Sequence, residues 1–200
     1  QNIISGNAVD PGFDTPVLNE NISAYNIYEI NIQKSDIKIT SNRRNVDLQL
    51  GDQHYKLNLF NDNLVVSYES ENLPHLLGGS LNTGGTVSLT INDNFIYGFI
   101  RSGDSYKFIE PLKYFEKGAA ENLFVFYDVS NVIETEEHVC GVSESEMKTD
   151  QLNNYKMPTT DCKIVDFGLA NDFEMYQAHG SSVTNVENHN LGVLNNVQTN

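Results

Sequence analysis

The sequence predicts a mainly β protein, an antiparallel β-sandwich or a barrel-like fold, and three observations carry that prediction. Apolar and polar residues alternate in successive runs, as at Val46, Leu48, Leu50 and at Tyr55, Leu57, Leu59, which gives each strand one face for a core and one for water. These runs are rich in β-branched and aromatic residues, and the chain holds 10 Tyr and 10 Phe. Between them lie short breaks, among them Gly51-Asp52, Asn61-Asp62-Asn63, Asn92-Asp93-Asn94 and Ser102-Gly103-Asp104, whose residues tolerate the positive φ of tight hairpins.

In chain order, the first twenty residues, with Pro11-Gly12 and Pro16, show no period and read as an extended lead-in. Residues 24–32 form the first expected strand, where Tyr25, Ile27 and Glu29 alternate with Asn26, Tyr28 and Ile30. Further strands are expected at 46–50, 54–60, 64–68, 86–91, 95–101, 105–110 and 123–128, the pattern of a meander. The glycine pairs Gly78-Gly79 and Gly84-Gly85 bound an expected mobile loop. Residues 143–160 are polar, carry Pro158 and read as an exposed linker. Ile164, Val165, Phe167 and Leu169 then suggest an apolar strand. Residues 181–200 suggest a helix, because Val183, Val186, Leu194 and Val197 recur at helical spacings behind Ser181 or Ser182 as N-cap. One strand and one helix do not complete an α/β unit, so this end reads as truncated and 181–200 is expected to be poorly anchored.

The 200 residues carry 27 acidic against 12 basic side chains, a formal charge of -15 that repels phosphate backbones and anionic headgroups. Neither nucleic acid nor a membrane is an expected partner. No run reaches the roughly 18 to 20 apolar residues of a membrane span, and a start at Gln1 suggests a precursor whose signal peptide has been removed, hence a secreted, extracellular protein.

Chemistry-bearing residues are few. Cys140 and Cys162 have no paired CxxC spacing. A disulfide between them would close a loop of about 20 residues and stabilise by roughly 3 kcal/mol; a buried free thiol is the other plain reading. His138, His179 and His189 lack the i, i+4 spacing and neighbouring Glu of a zinc protease, and no HExxH occurs. Residues 164–171, IVDFGLAN, imitate the magnesium segment of protein kinases, but no glycine-rich loop, strand lysine or HRD loop precedes them. Glu134, Glu136, Glu137, Glu144 and Glu146 lack the ordered spacing of a calcium loop and read as a solvated acidic run. Tyr25, Tyr28, Tyr55, Tyr97 and Tyr106 would line one face if the chain were a secreted β-sandwich binding carbohydrate or protein, the alternative function.

One ordered set of segments resembles a known family. TVSLTINDNFIYGFIRSGDSYKFIEPL at 86–112, LFVFYDVSNV at 123–132 and His138-Val139-Cys140-Gly141-Val142 are similar to the distal half of the ADAM/reprolysin propeptide. The hairpin at 46–60 resembles that family's first strong hairpin. Residues 162–197, with an Asp, the Met175/Tyr176 pair, Gly180-Ser181 and a long helix, resemble the opening of a reprolysin-type metzincin catalytic domain. The likeness covers roughly residues 45 to 200.

The resemblance implies a β-rich propeptide at 1–139, a cysteine-switch segment and linker at 140–160, and at 161–200 the truncated start, one strand and one helix, of an α/β catalytic domain. It implies an inhibitory and folding-assisting role toward the chain's own downstream protease domain, a secreted zinc metalloendopeptidase acting on protein substrates. Zinc, the implied cofactor, would sit in that downstream domain. Cys140 would be the inhibitory zinc ligand, since a thiolate beside a cation ionises at neutral pH and fills the position where water would attack, and His138 and Gly141 would support the switch segment. No catalytic residue is expected within the chain itself. The family's basic processing site is missing from the linker.

Overall fold

Hairpin chemistry lays successive strands side by side. The computed structural model describes residues 2–37, 43–61, 72–133 and 168–199. The chain divides into one compact unit formed by Gln1–Ile133 with Asn171–Asn200 and a second formed by Glu134–Ala170. All the strands and helices named below belong to the first unit. Positive φ at Gly51, Asn94 and Gly103 turns β3 (Arg43–Leu50) into β4 (Gln53–Asn61), β6 (Thr86–Asn92) into β7 (Phe95–Ser102), and β7 into β8 (Ser105–Pro111). With β1 (Asn2–Ala8), β2 (Asn26–Ile30), β5 (His75–Leu81) and β9 (Leu123–Asp128), these strands close a barrel in the order β1-β2-β9-β8-β7-β6-β5-β4-β3. Every pairing is antiparallel except the closing one, where β1 runs parallel to β3 with Ile4 opposite Leu48. Among the described residues, closure leaves no edge strand exposed to pairing with another chain.

The mainly β prediction is met, in its barrel form. Alternation fills the inside: Ile4, Val46, Leu48, Leu50, Leu57, Leu59, Leu89 and Phe126 point inward and are all but inaccessible. A second, smaller core lies outside the wall, where Leu18, Ile22 and Leu112 pack over Ile27 of β2 and Val125 of β9.

Several expectations change. The lead-in is ordered: it supplies β1 and the short helix α1 (Pro16–Asn21), whose Leu18 is fully buried in the second core. Gly78 and Gly79 lie within β5 rather than in a loop, and a Cβ on Gly79 would stand 2.2 Å from the Asn58 carbonyl oxygen of β4. Glycine here serves close backbone approach. β6 and β7 are buried on both faces, not one, because a helix covers their outer side. The expected strand at 64–68 lies outside the described residues, as does most of the one expected near 164–169; Gly168–Ala170 has no regular structure and Leu169 is exposed. The chain then forms α2 (Phe173–Ala178), capped by the Asp172 carboxylate accepting from the Met175 N–H at 2.7 Å, and α3 (Val183–Thr199).

Candidate functional site

Cys140, His138, Gly141 and Cys162, the residues to which the sequence points, all lie outside the described residues. What the structure assembles instead is a seat for α3 on the outer wall of β5, β6 and β7.

At 3.6 residues per turn each residue advances about 100°. Asn188, Leu191, Gly192 and Asn195 then share one arc of about 100°, and Val183, Val186, Val193, Leu194 and Val197 share the opposite one. The first arc meets the barrel. The Asn195 side-chain amide, with no exposed surface, donates to the Leu77 and Leu89 carbonyls at 3.4 and 3.2 Å and to Thr90 Oγ1 at 3.2 Å. Asn92 donates to Asn188 Oδ1 at 3.1 Å. Gly192 faces the Tyr97 ring, where a Cβ would stand 2.6 Å from Cδ1. On the second arc Val183 is 71 % and Val197 73 % exposed. The helix is thus anchored, contrary to expectation, by Asn188, Leu191, Gly192 and Asn195; of the apolar stripe that predicted it, Val183 and Val197 stay exposed while Val186 is buried.

Beside this seat lies a cluster of rings. His179, from the end of α2, and His189, from α3, have centroids 4.6 Å apart, and Tyr114 stands edge-on to both at 4.7 and 5.1 Å. Tyr97 completes the group at 5.5 Å from His189. The Tyr114 hydroxyl and both histidine Nδ1 atoms are buried without hydrogen-bond partners. Burial, helped by the neighbouring His179, pushes the His189 pKa down to about 4, and burial with the Lys113 charge lowers that of His179. Both rings are neutral at pH 7. Glu110 lies close by and accepts from the Tyr127 hydroxyl at 2.5 Å; loss of water raises its pKa, and the tyrosine bond only partly opposes the rise. Burial first, then the Glu110 charge, lift Tyr97, Tyr114 and Tyr127 well above the ordinary phenol range. Among the described residues no three His, Cys, Asp or Glu side chains are grouped to hold a metal ion.

The tyrosines expected on one face are dispersed. Tyr28 is inside the barrel with Tyr55 packed against the same core, Tyr97 is under α3, and Tyr106 packs tilted against Phe99 and edge-on to Phe108 outside β7 and β8. Tyr25 instead borders an open groove of about 650 Å³ with Asp10, Phe13, Asp14 and Asn19. The seat itself was missed because Asn188, Gly192 and Asn195 count against a helix by propensity. Their spacing of four and three was the available signal.

No protein-family model matches the chain, and no curated protein compared with it is significantly similar.

Proposed function

We propose that the chain is the inhibitory and folding-assisting propeptide of a secreted zinc metalloendopeptidase, joined to the first part of its metzincin catalytic domain. In this reading residues 1–139 form the propeptide, 140–160 the switch and linker, and 161–200 the catalytic domain's first elements. The downstream protease domain is the partner, and protein substrates belong to the mature enzyme.

The observation that carries this reading is the two-faced α3. A helix with an apolar stripe at Val183, Val193 and Val197 is suited to burying that stripe against a further layer, and here the barrel occupies the other face. A segment resembling the opening of a protease domain is therefore held by the barrel while its core-forming side stays available. That is what a folding template requires. A zinc bound in the downstream domain would supply the Lewis acidity for peptide hydrolysis, and the Cys140 thiolate is the group from this chain that would exclude water from it.

The test mixes the chain, and a Cys140→Ala version, with the separately expressed downstream domain and follows peptide cleavage. Inhibition by the native chain and much weaker inhibition by the variant support the reading. Equal inhibition by both removes the cysteine switch and leaves shape alone. If neither inhibits, a secreted binding module using the groove beside Tyr25 becomes the better account.

A further inference from the structure

Asn21-Ile22-Ser23, at the end of α1, is the one Asn-x-Ser/Thr triplet in the sequence. In a secreted protein such a triplet, with no proline at its centre, is the acceptor signal for N-linked sugar, and the fold decides whether it can carry one.

At Ile22 the backbone leaves the helix and becomes extended, with φ -135° and ψ 121°, so side chains on either side of it point opposite to its own. Ile22 goes into the second core and is 2 % exposed, which turns Asn21 and Ser23 outward together; both are exposed. Asn21 Nδ2 donates to the Val17 carbonyl at 2.7 Å and uses one of its two hydrogens for that bond. Replacing the other by a sugar leaves the bond in place. Val17, on whose carbonyl the amide rests, is 42 % exposed, and Val132, paired with Ile22, is 44 % exposed. A hydrated glycan at Asn21 would shield both apolar side chains.

The folded triplet is also closed. The Ser23 N–H and hydroxyl both donate to the Asn131 carbonyl, at 2.8 and 2.9 Å, and the Ile133 N–H donates to the Asn21 carbonyl at 2.7 Å. An enzyme that reads the Ser23 hydroxyl needs it free of that bond. Asn131 lies 108 residues further along the chain, and at roughly 5–20 residues per second of synthesis it follows the triplet by about 5–20 s. The connectivity itself leaves the triplet open for that interval.

We propose that Asn21 is an N-glycosylation site, modified during synthesis before residues 131–133 close over the triplet. Its Nδ2 forms a bond to C1 of the first sugar of a lipid-pyrophosphate-linked oligosaccharide. The bond from C1 to the pyrophosphate oxygen breaks, the lipid pyrophosphate leaves with that electron pair, and one Nδ2 proton passes to a base of the transferase; nothing is oxidised or reduced. The inference rests on the secreted route of the propeptide reading and does not involve the cysteine switch.

The experiment translates the full chain behind an added signal peptide with endoplasmic-reticulum microsomes, and follows only the translocated, protease-protected product. One gel-mobility step is expected, removed by an amide-cleaving glycosidase, lost in Asn21→Gln and in Ser23→Ala, and kept in Ser23→Thr. Chain folded first and then offered to detergent-opened microsomes with the lipid-linked donor should stay unmodified; equal modification of the folded chain overturns the timing. Translocated native chain without sugar, or a mobility step that survives Asn21→Gln, overturns the site. The added signal delivers the chain whatever its natural route, so these outcomes bear on Asn21 alone, while the cleavage assay with Cys140→Ala decides the propeptide reading.

Discussion

The inside of the barrel and the seat of α3 are both buried, and they are built by different means. Inside, Leu48, Leu57, Leu89 and Phe126 meet other hydrocarbon, so the contact is non-directional and grows with area. Under α3 the contact includes Leu191, but is otherwise made of Asn195 on three acceptors, Asn188 on Asn92, a glycine against Tyr97, and two neutral histidines against Tyr114. Hydrogen bonds there replace hydrogen bonds to water and contribute little net energy, but leaving one unmade is costly. The interior therefore supplies stability, while the seat supplies a defined, pH-sensitive geometry.

The largest test of that contrast is Leu48→Ala. Removing a fully buried side chain from the interior should cost about 2–5 kcal/mol, read as a lowered midpoint in urea unfolding for the barrel as a whole. A loss confined to α3 would contradict the division of roles.

Gly192→Val attacks the seat. The added atoms meet the Tyr97 ring, and overpacking of this kind costs about 1–3 kcal/mol. Hydrogen exchange should accelerate across Val183–Thr199 while protection in β3 and β4 persists. Loss of protection in both would mean that the helix and barrel unfold as one.

Next in size is acid. The folded-state pKa of His189 is depressed, to about 4, and that of His179 is lowered, so between the ordinary histidine pKa near 6.5 and pH 4 the unfolded chain binds more protons. Their contribution is fully present above that ordinary value and is lost as pH falls through the window. With His189 partly exposed, about 1–2 kcal/mol is the expected loss. His189→Phe should flatten the urea midpoint against pH between 6.5 and 4; an unchanged slope would detach the ring cluster from stability.

The smallest effect belongs to Glu110. Its pKa is raised, so its protonated form favours the fold: the contribution is present below the ordinary carboxylate value and lost as pH rises through the folded one. Glu110→Gln should be neutral to stabilising by a few tenths of a kcal/mol at pH 7. It should also steepen the rise of stability with pH in the same urea series, since the opposing slope is gone.

Much of the wall was legible. The alternation at Val46 to Leu50 and the Gly51, Asn94 and Gly103 turns are local signals, each set by side-chain period or backbone freedom, and the strands fall where those signals lie. β1 and β5 were not legible, because one carries Gly6 among polar residues and the other carries Gly78-Gly79. Only their neighbours show that these residues pair. Of the candidate site, the helix was legible from its valines, and the face it uses was not: Asn188, Gly192 and Asn195 gain their role from acceptors and a ring supplied by β5, β6 and β7.

By itself the sequence determined a mainly β chain of short strands with a C-terminal helix, since periodicity and turn chemistry act between residues a few positions apart. Closure through the parallel β1–β3 pair, the inward burial of Arg44, and the meeting of His179 and His189 with Tyr97 and Tyr114 were decided only by tertiary structure. Those contacts join residues far apart in the chain, whose chemistry is set by what surrounds them and not by their own identity.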